Sequence, residues 1–594
     1  MNNRRIFLLL PAVCISLALS VSAQADLVDI EDPVLDATSA QSAAFEPVIQ
    51  ALEARDFDKA VELLNTLKST HAELPGTWEL DGAIKLARMD FAGAERALRR
   101  ALVLAPETAS IHTKLGAAQL AQNKMADAER SLAKAIELDP AETSAALMLA
   151  RLETRRGNSA SALAHYKTAV QHADGYSTAH QELVEVYLNS GDYEGVLDLV
   201  EPLLDADGTA AAHSAAMRAY ISLERLDEAG EALEAARELG LAVDEATLYE
   251  AVLARFTGEL SESESLLREL VKDYPERPLL LQELAITLAA AGNSSESRDA
   301  AMHAAALLPE QHPTLVSLAN LLLAQGLASE ALQVAQGNAE SGDPQALVVV
   351  SRAGILAGDL DAADVASKRL LADFPKYAEA FGYRSEVLLR MGERSQALEV
   401  AEQGTRSLPQ NVAVWSARIG LLLRLGETKS AARVAEQGAK ANPESSHLKL
   451  QMASALQLNG DAKEAEGLYR ELSSDTDTSV IALNNLANMV SADPDRRAEA
   501  LEFARKAHLQ APESAAVNDT LGWVLHLNGK NEEARGVLNV AHAAAADNIE
   551  VICHLGIVNA DLDGVEAART NLEQCAANES YTDLSAQAAR LLGT

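Results

Sequence analysis

The chain has 594 residues, more than one compact hydrophobic core usually holds, so the sequence predicts either several domains or a repeat array. The hydrophobic fraction is 48% but the aromatic fraction only 4%, so alanine and leucine supply the apolar surface, and both favour helices over strands. A formal net charge of −37 disfavours binding to nucleic acid or to anionic lipid, so we expect neither as a partner.

The N-terminus has the three-part pattern of a secretory signal over residues 1–25. A basic segment containing Arg4 and Arg5 precedes an apolar stretch, and Ala23-Gln24-Ala25 has the A-x-A pattern of a cleavage site. The apolar stretch is shorter than the roughly 20 residues that span a bilayer, so cleavage is favoured over an uncleaved anchor, which stays an alternative. No later stretch is long and apolar enough to span. The compact signal is typical of bacteria and predicts a periplasmic protein.

After the signal, residues 26–40 are acidic and predict a flexible lead-in. From residue 41 to residue 580 the same residue types return, mostly every 34 residues. A small residue in a first helix lets a second helix approach, alanines line one face of that second helix, and a proline ends the unit. Recurring positions are Gly82, Ala94, Leu98, Ala101 and Pro106, then Gly116, Ala128, Leu132, Ala135 and Pro140, and later Gly522, Ala534, Leu538 and Ala541.

This pattern resembles the signature of the tetratricopeptide repeat (TPR). The resemblance implies an all-α fold, a right-handed superhelical solenoid of stacked antiparallel helix pairs. Counting in frame gives about 16 repeats, with the weakest match at residues 201–275. Residues 581–594 are expected to form a capping helix, because a solenoid needs its last apolar face covered.

Motifs that carry chemistry are missing from the sequence. The 13 histidines are scattered without an H-E-x-x-H motif, and no G-x-S-x-G nucleophile motif occurs. We therefore expect a protein that is not an enzyme, with no catalytic residue, no cofactor and no metal.

Two cysteines, Cys553 and Cys575, lie in the last full repeat, at similar heights on its two antiparallel helices. An oxidising compartment permits a disulfide between them. The alternative is a pair of small buried thiols.

TPR proteins usually bind ligands on a concave face lined by first helices, so the resemblance directs attention to two such helices. Asn484 and Asn488 are four residues apart and share a helix face, and Asp519, Trp523 and His526 share a face one repeat later. Amides, an indole and an imidazole suit an extended peptide or a sugar chain. Alternatively, Trp523 wedges against the neighbouring repeat, His526 is a plain surface residue, and the asparagines satisfy backbone groups.

The stretch from Asn484 to Leu527 is similar to part of the exported bacterial TPR proteins of exosortase (PEP-CTERM) and exopolysaccharide systems. This resemblance implies a periplasmic scaffold or adaptor in envelope or exopolysaccharide and protein-sorting assembly, with protein or peptide partners or a polysaccharide. The alternative function is a holdase-like chaperone for outer-membrane or secreted clients. The sequence predicts no oligomeric state.

Overall fold

The structure is a computed structural model that describes residues 42–173, 175–204, 208–578 and 582–593. The predicted signal peptide at 1–25 and the acidic lead-in at 26–40 lie outside these residues. Within them, the chain forms 33 α-helices and two short 3-10 helices, Glu201–Leu203 and Pro494–Arg496, and no β-strand.

The first sixteen helices are α1 (Ser42–Glu53), α2 (Phe57–Thr70), α3 (Pro75–Ala87), α4 (Phe91–Leu104), α5 (Ala109–Ala121), α6 (Met125–Leu138), α7 (Thr143–Arg155), α8 (Ser159–Gln171), α9 (Thr178–Ser190), α10 (Tyr193–Val200), α11 (Ala210–Ser222), α12 (Leu226–Glu238), α13 (Val243–Thr257), α14 (Leu260–Asp273), α15 (Pro278–Ala290) and α16 (Ser294–Leu307). The others are α17 (Thr314–Ala324), α18 (Ala328–Ser341), α19 (Pro344–Ala357), α20 (Leu360–Asp373), α21 (Ala378–Arg390), α22 (Arg394–Ser407), α23 (Val412–Arg424), α24 (Thr428–Ala441), α25 (Ser446–Asn459), α26 (Ala462–Leu472), α27 (Ser479–Ser491), α28 (Arg497–Gln510), α29 (Ala515–Leu527), α30 (Asn531–Ala544), α31 (Ile549–Asp563), α32 (Val565–Ala576) and α33 (Thr582–Leu592).

Each odd-numbered helix from α1 to α31 is the first helix of a pair, and the following even-numbered helix is the second; α33 follows the last pair. The predicted fold class, an all-α TPR-type solenoid of stacked helix pairs, is confirmed. The described chain divides into two compact units, one ending at Ala300 and one beginning at Ala301. In each unit, first helices of neighbouring pairs contact one another, and we call the surface they form the first-helix face.

The helices of one pair meet at a seam of small residues. Ala94 and Ala101 on α4 are fully buried, as is Leu98 between them. Opposite, a Cβ added at Gly82 of α3 would lie 2.5 Å from Leu98 Cγ, well inside van der Waals contact. Glycine at this position therefore sets how closely the two helices approach, as the recurring pattern predicts.

The turn inside a pair has its own local chemistry. Asp90, Asp192 and Asp359 each end the turn, and each carboxylate accepts a hydrogen bond from the backbone N–H three residues later, at 2.9, 3.0 and 3.0 Å. These side chains cap the second helices α4, α10 and α20. The residue before the cap has a positive φ, 76° at Gly191 and 81° at Gly358, which glycine adopts without steric cost.

A shortened helix begins the stretch in which the repeat pattern is weakest. Helix α10 ends at Val200 after eight residues, and Pro202 lies in the 3-10 helix that follows. Because a proline ring cannot continue the hydrogen bonding of an α-helix, the chain leaves the 34-residue frame here. Helices α11–α14 then continue the pairing.

A side chain near the start of several first helices ties that helix to the preceding loop. Trp78 Nε1 donates to the carbonyl of Ala72 at 2.8 Å, and Trp415 Nε1 donates to that of Pro409 at 2.9 Å. In α29 Asn518 stands at this position, is fully buried, and donates through Nδ2 to the carbonyl six residues earlier at 2.7 Å. An amide thus replaces the indole as the donor that holds the loop.

In the part of the chain that the structure describes, no helix has both the length and the apolarity needed to cross a bilayer.

Candidate partner-binding surface

The five predicted binding residues lie on two neighbouring first helices of the second unit. Asn484 and Asn488 belong to α27, and Asp519, Trp523 and His526 belong to α29. Helix α29 packs between α27 and α31, so its side chains reach first helices on both sides. Near the C-terminus, the candidate residues therefore belong to one stretch of the first-helix face.

Trp523 is held between two imidazole rings. Its centroid lies 4.9 Å from that of His526, with 30° between the planes, and 4.3 Å from that of His554, with 17°. The indole also packs against the apolar cluster around Cys553, and it remains partly exposed. Trp523 therefore does wedge against the next repeat, and its role in binding stays a prediction.

Asp519 is buried and hydrogen-bonded across the repeat boundary. Its Oδ1 lies 2.8 Å from Nδ1 of His554 on α31. Glu550 lies one turn before His554 on the same helix, and one ligand atom from each of these three side chains lies within 4.8 Å of the others. Glu550 and His554 were not among the residues predicted from the sequence. Their four-residue spacing, and the offset of about one repeat from Asp519, are the signals that point to them.

His526 takes part in a second small network. Its Nδ1 lies 3.0 Å from Oδ1 of Asn531 and 3.8 Å from a carboxylate oxygen of Asp561. With Trp523 against one face of its ring, His526 is partly buried. It connects α29, the start of α30 and the end of α31, and its role in binding stays a prediction.

The two asparagines of α27 differ in exposure. Asn488 is exposed, whereas Asn484 is half-buried and its Oδ1 has no hydrogen-bond partner. In the described chain, no hydrogen bond or ring contact links either residue to Asp519, Trp523 or His526. The structure therefore divides the predicted site into two groups. The unpaired oxygen of Asn484 is itself buried, so of the two side chains only that of Asn488 is exposed.

A separate cavity of about 450 Å³ opens on the first-helix face of the same unit, between α19, α21 and α23. Gly420 borders this space, since a Cβ added there would meet no other atom within 4 Å. Leu356 is 62% exposed there, and burial raises the pKa of Tyr383. The sequence analysis missed this cavity. Its lining includes Arg352, Leu356, Gly382, Tyr383, Ala417 and Gly420.

Many cations are paired between repeats. Glu466 accepts hydrogen bonds from Arg496 at 2.6 Å and from Arg470 at 2.8 Å, and these bonds lower its pKa to about 2. Arg496 and Arg470 also both bond Glu499 of the following repeat. Other pairs that bridge repeats are Lys114–Glu79, Arg277–Asp244, Arg505–Glu533 and Arg535–Asp563. These cations are neutralised by carboxylates of the chain itself.

Comparison with protein families supports the repeat class directly. Residues 84–143, 113–179 and 153–218 match family models described as tetratricopeptide repeat. Together with the fold, these matches define a TPR-type helical-repeat protein, a class that typically serves as non-catalytic scaffolds for protein–protein interaction. Protein partners are thus supported. A polysaccharide ligand is not supported, and the prediction that nucleic acid is not a partner is not supported either.

A second family match covers residues 378–499, and its model is described as U3 small nucleolar RNA-associated protein 6 C-terminal. No protein among those with curated descriptions matches the sequence. Similar solved structures are those of Naa15/Naa10 bound to HypK-THB (14% identity, covering 94% of this chain and 100% of that one, TM-score 0.33), the APC/C hetero-tetramer Cut9-Hcn1 (15%, 93% and 96%, 0.34) and yeast Tom70 (15%, 89% and 96%, 0.32).

The predicted periplasmic location is wrong. The match at residues 378–499 is to a family named for its association with a small nucleolar RNA, and such an RNA is not a periplasmic component. The prediction depended on the basic and apolar pattern at residues 1–25, which is a compositional signal and lies outside the described residues. Neither family match supports the resemblance to exosortase-associated proteins.

Proposed function

We propose that the chain is a scaffold or adaptor that binds an extended segment of a protein partner along α27, α29 and α31. The observation that carries this proposal is the position of Trp523, clamped between His526 and His554 and still partly exposed on the first-helix face. A rigid, partly exposed indole loses little side-chain entropy on binding, which is why tryptophan is common at the centre of protein interfaces.

Polar groups on the neighbouring first helix α27 suit a peptide backbone. Asn488 presents an exposed amide on α27, and the half-buried Asn484 lies one turn before it on the same helix. Because these residues lie one repeat away from Trp523, a ligand that uses both must cross two first helices. An extended peptide has this length and alternates side chains with backbone donors, whereas a compact ligand reaches only one of the two groups.

The charge of the chain supports protein rather than nucleic acid as the direct partner. The formal net charge is −37, and the cations of the inter-repeat bridges are already paired with carboxylates. Phosphate recognition requires clustered cations that are free to displace counterions. In any larger assembly that includes RNA, we expect this chain to contact the protein components.

The test is a peptide array, covering the proteins that co-purify with the chain, probed with the purified full chain. We expect a few discrete peptides to bind. Trp523→Ala and Asn488→Ala together should weaken that binding by about thirtyfold, since truncating an interface tryptophan costs about 2 kcal/mol or more. Val540→Ala is the matched control, because Val540 is 47% exposed on the second helix α30.

Because Trp523 also packs against the cluster around Cys553, the double variant also removes packing. The single variant Asn488→Ala is therefore measured as well, since Asn488 is exposed and its truncation leaves this packing intact. Unchanged binding by both variants would show that the partner binds elsewhere. Broad binding to apolar peptides would favour the holdase-like alternative, and binding to polysaccharide but to no peptide would reject a protein partner.

A further inference from the structure

We propose that Asp519, Glu550 and His554 form a binding site for a divalent transition-metal cation, and that zinc suits the ligands. Nothing in the repeat pattern requires a carboxylate, a second carboxylate and an imidazole to converge between α29 and α31. Zinc is bound in proteins by imidazole nitrogen and carboxylate oxygen, and three protein ligands are sufficient for a site that keeps one position open.

The three side chains converge on one point. One donor atom from each of the three side chains lies within 4.8 Å of the others. Two ligand atoms of a tetrahedral zinc lie about 3.3 Å apart, given metal–ligand distances of about 2.0 Å. Nδ1 of His554 and Oδ1 of Asp519 are 2.8 Å apart, so these two atoms must separate slightly, and the carboxylate of Glu550 must adjust its rotamer, to reach that spacing around a cation.

Burial and charge favour a cation at this position. Asp519 and His554 are 7% and 5% exposed, and His554 is the only ion-pair partner of Asp519 in the described chain. A second carboxylate, that of Glu550, faces the same point. A buried carboxylate is stabilised by a cation or by metal coordination, so the burial of Asp519 favours a cation at this point.

The surroundings hold the ligands in place. The indole of Trp523 stacks on the His554 ring at 4.3 Å and limits its rotation. Glu550 and His554 are four residues apart on one face of α31, a rigid helix. Such support by neighbouring groups is characteristic of metal sites, whose ligands are oriented by contacts outside the coordination sphere. The open fourth position is available to water or to a group of a bound partner.

The experiment titrates cobalt and then zinc into the purified full chain, stripped of metal with a chelator, without any partner. We expect one cobalt per chain, with visible absorption bands of low-symmetry coordination and quenching of Trp523 fluorescence, because the indole contacts a ligand ring. Zinc should displace the cobalt. Glu550→Gln and His554→Ala should each weaken binding by at least about tenfold.

Asp563→Asn is the matched control, because Asp563 is an exposed acid on the same helix outside the cluster, and it should bind as the unchanged chain does. Glu550 is only half-buried, so Glu550→Gln keeps the test valid where His554→Ala fails to fold. Absence of binding, equal binding by Glu550→Gln, or a cobalt–thiolate charge-transfer band would each overturn the proposal. Partner binding plays no part in the measurement, so failure here leaves the scaffold proposal standing.

Discussion

At the scale of single residues, the most demanding contact in the first unit is a buried ion pair. Arg255 of α13 and Glu283 of α15 are 2.8 Å apart, and their side chains are 4% and 2% exposed. Burial raises the pKa of Glu283, although the charge of Arg255 opposes that shift. Arg255 Nε has no hydrogen-bond partner, so the pair is incompletely satisfied. It joins two neighbouring first helices and depends on both charges.

Glu283→Gln should lower the free energy of unfolding of the first unit by about 3–5 kcal/mol, because it leaves the Arg255 charge buried without a counterion. Removing both charges with Arg255→Met and Glu283→Leu should recover most of that loss. The measurement is the urea midpoint followed by circular dichroism.

The matched control is Asp244→Asn. This change breaks the more exposed ion pair between Asp244, near the start of α13, and Arg277, just before α15, and it should lower the free energy of unfolding by less than about 1 kcal/mol. If Glu283→Gln destabilises no more than Asp244→Asn, the buried pair does not support the packing of α13 on α15.

At the scale of the helix pair, one glycine determines the approach of two helices. A Cβ added at Gly522 of α29 would lie 2.5 Å from Leu538 Cγ and 3.3 Å from the carbonyl oxygen of Ala534, both on α30. On that same second helix, a Cβ added at Gly536 would meet no other atom within 4 Å. The two glycines share one helical pair and differ only in what surrounds them.

Gly522→Ala should therefore destabilise the second unit by about 1–3 kcal/mol, since the added methyl overpacks the seam. Gly536→Ala should stabilise it by up to about 1 kcal/mol, because alanine has the higher helix propensity and the position is exposed. Thermal unfolding of the two variants compares them directly. If both variants shifted the unfolding temperature in the same direction, helix propensity, and not the close approach of the helices, would determine the effect of these substitutions.

At the scale of the whole molecule, stability is expected to vary along the array, because each repeat packs only on its neighbours. The last pair, α31 and α32, has one preceding pair on one side and the single helix α33 on the other. Cys553 and Cys575 lie at this end, both fully buried with Cα atoms 5.0 Å apart and their sulfurs at bonding distance. The disulfide remains a prediction to be tested on the protein.

Thiol labelling of the denatured, unreduced chain, mapped by mass spectrometry, should find positions 553 and 575 unlabelled. Reduction should then lower the stability of the last repeat by about 3 kcal/mol, the value for closing a loop of this length. Hydrogen exchange should accelerate in α31–α33, while α3–α6 in the other unit should exchange as before. Labelling of both cysteines before reduction would reject the bond.

The amino-acid sequence alone determined the fold class. Buried Ala94 and Ala101, and Gly82 opposite Leu98, are local features, since a period of 3.6 residues decides which side chains share a helix face. Their recurrence identifies the helix pairs without any knowledge of tertiary contacts. Around Pro202, which shortens α10, the same local signals no longer follow the 34-residue repeat.

Only the tertiary structure decided what meets across repeats. Asp519 and His554 are 35 residues apart, and a shift of one residue in frame or a different rotation between pairs would separate them. The cavity beside Gly420 and the half-buried position of Asn484 likewise follow from how neighbouring first helices are offset. A repeat period specifies which face each residue occupies; the offset between successive pairs, which sets the distances between side chains, is a property of their packing.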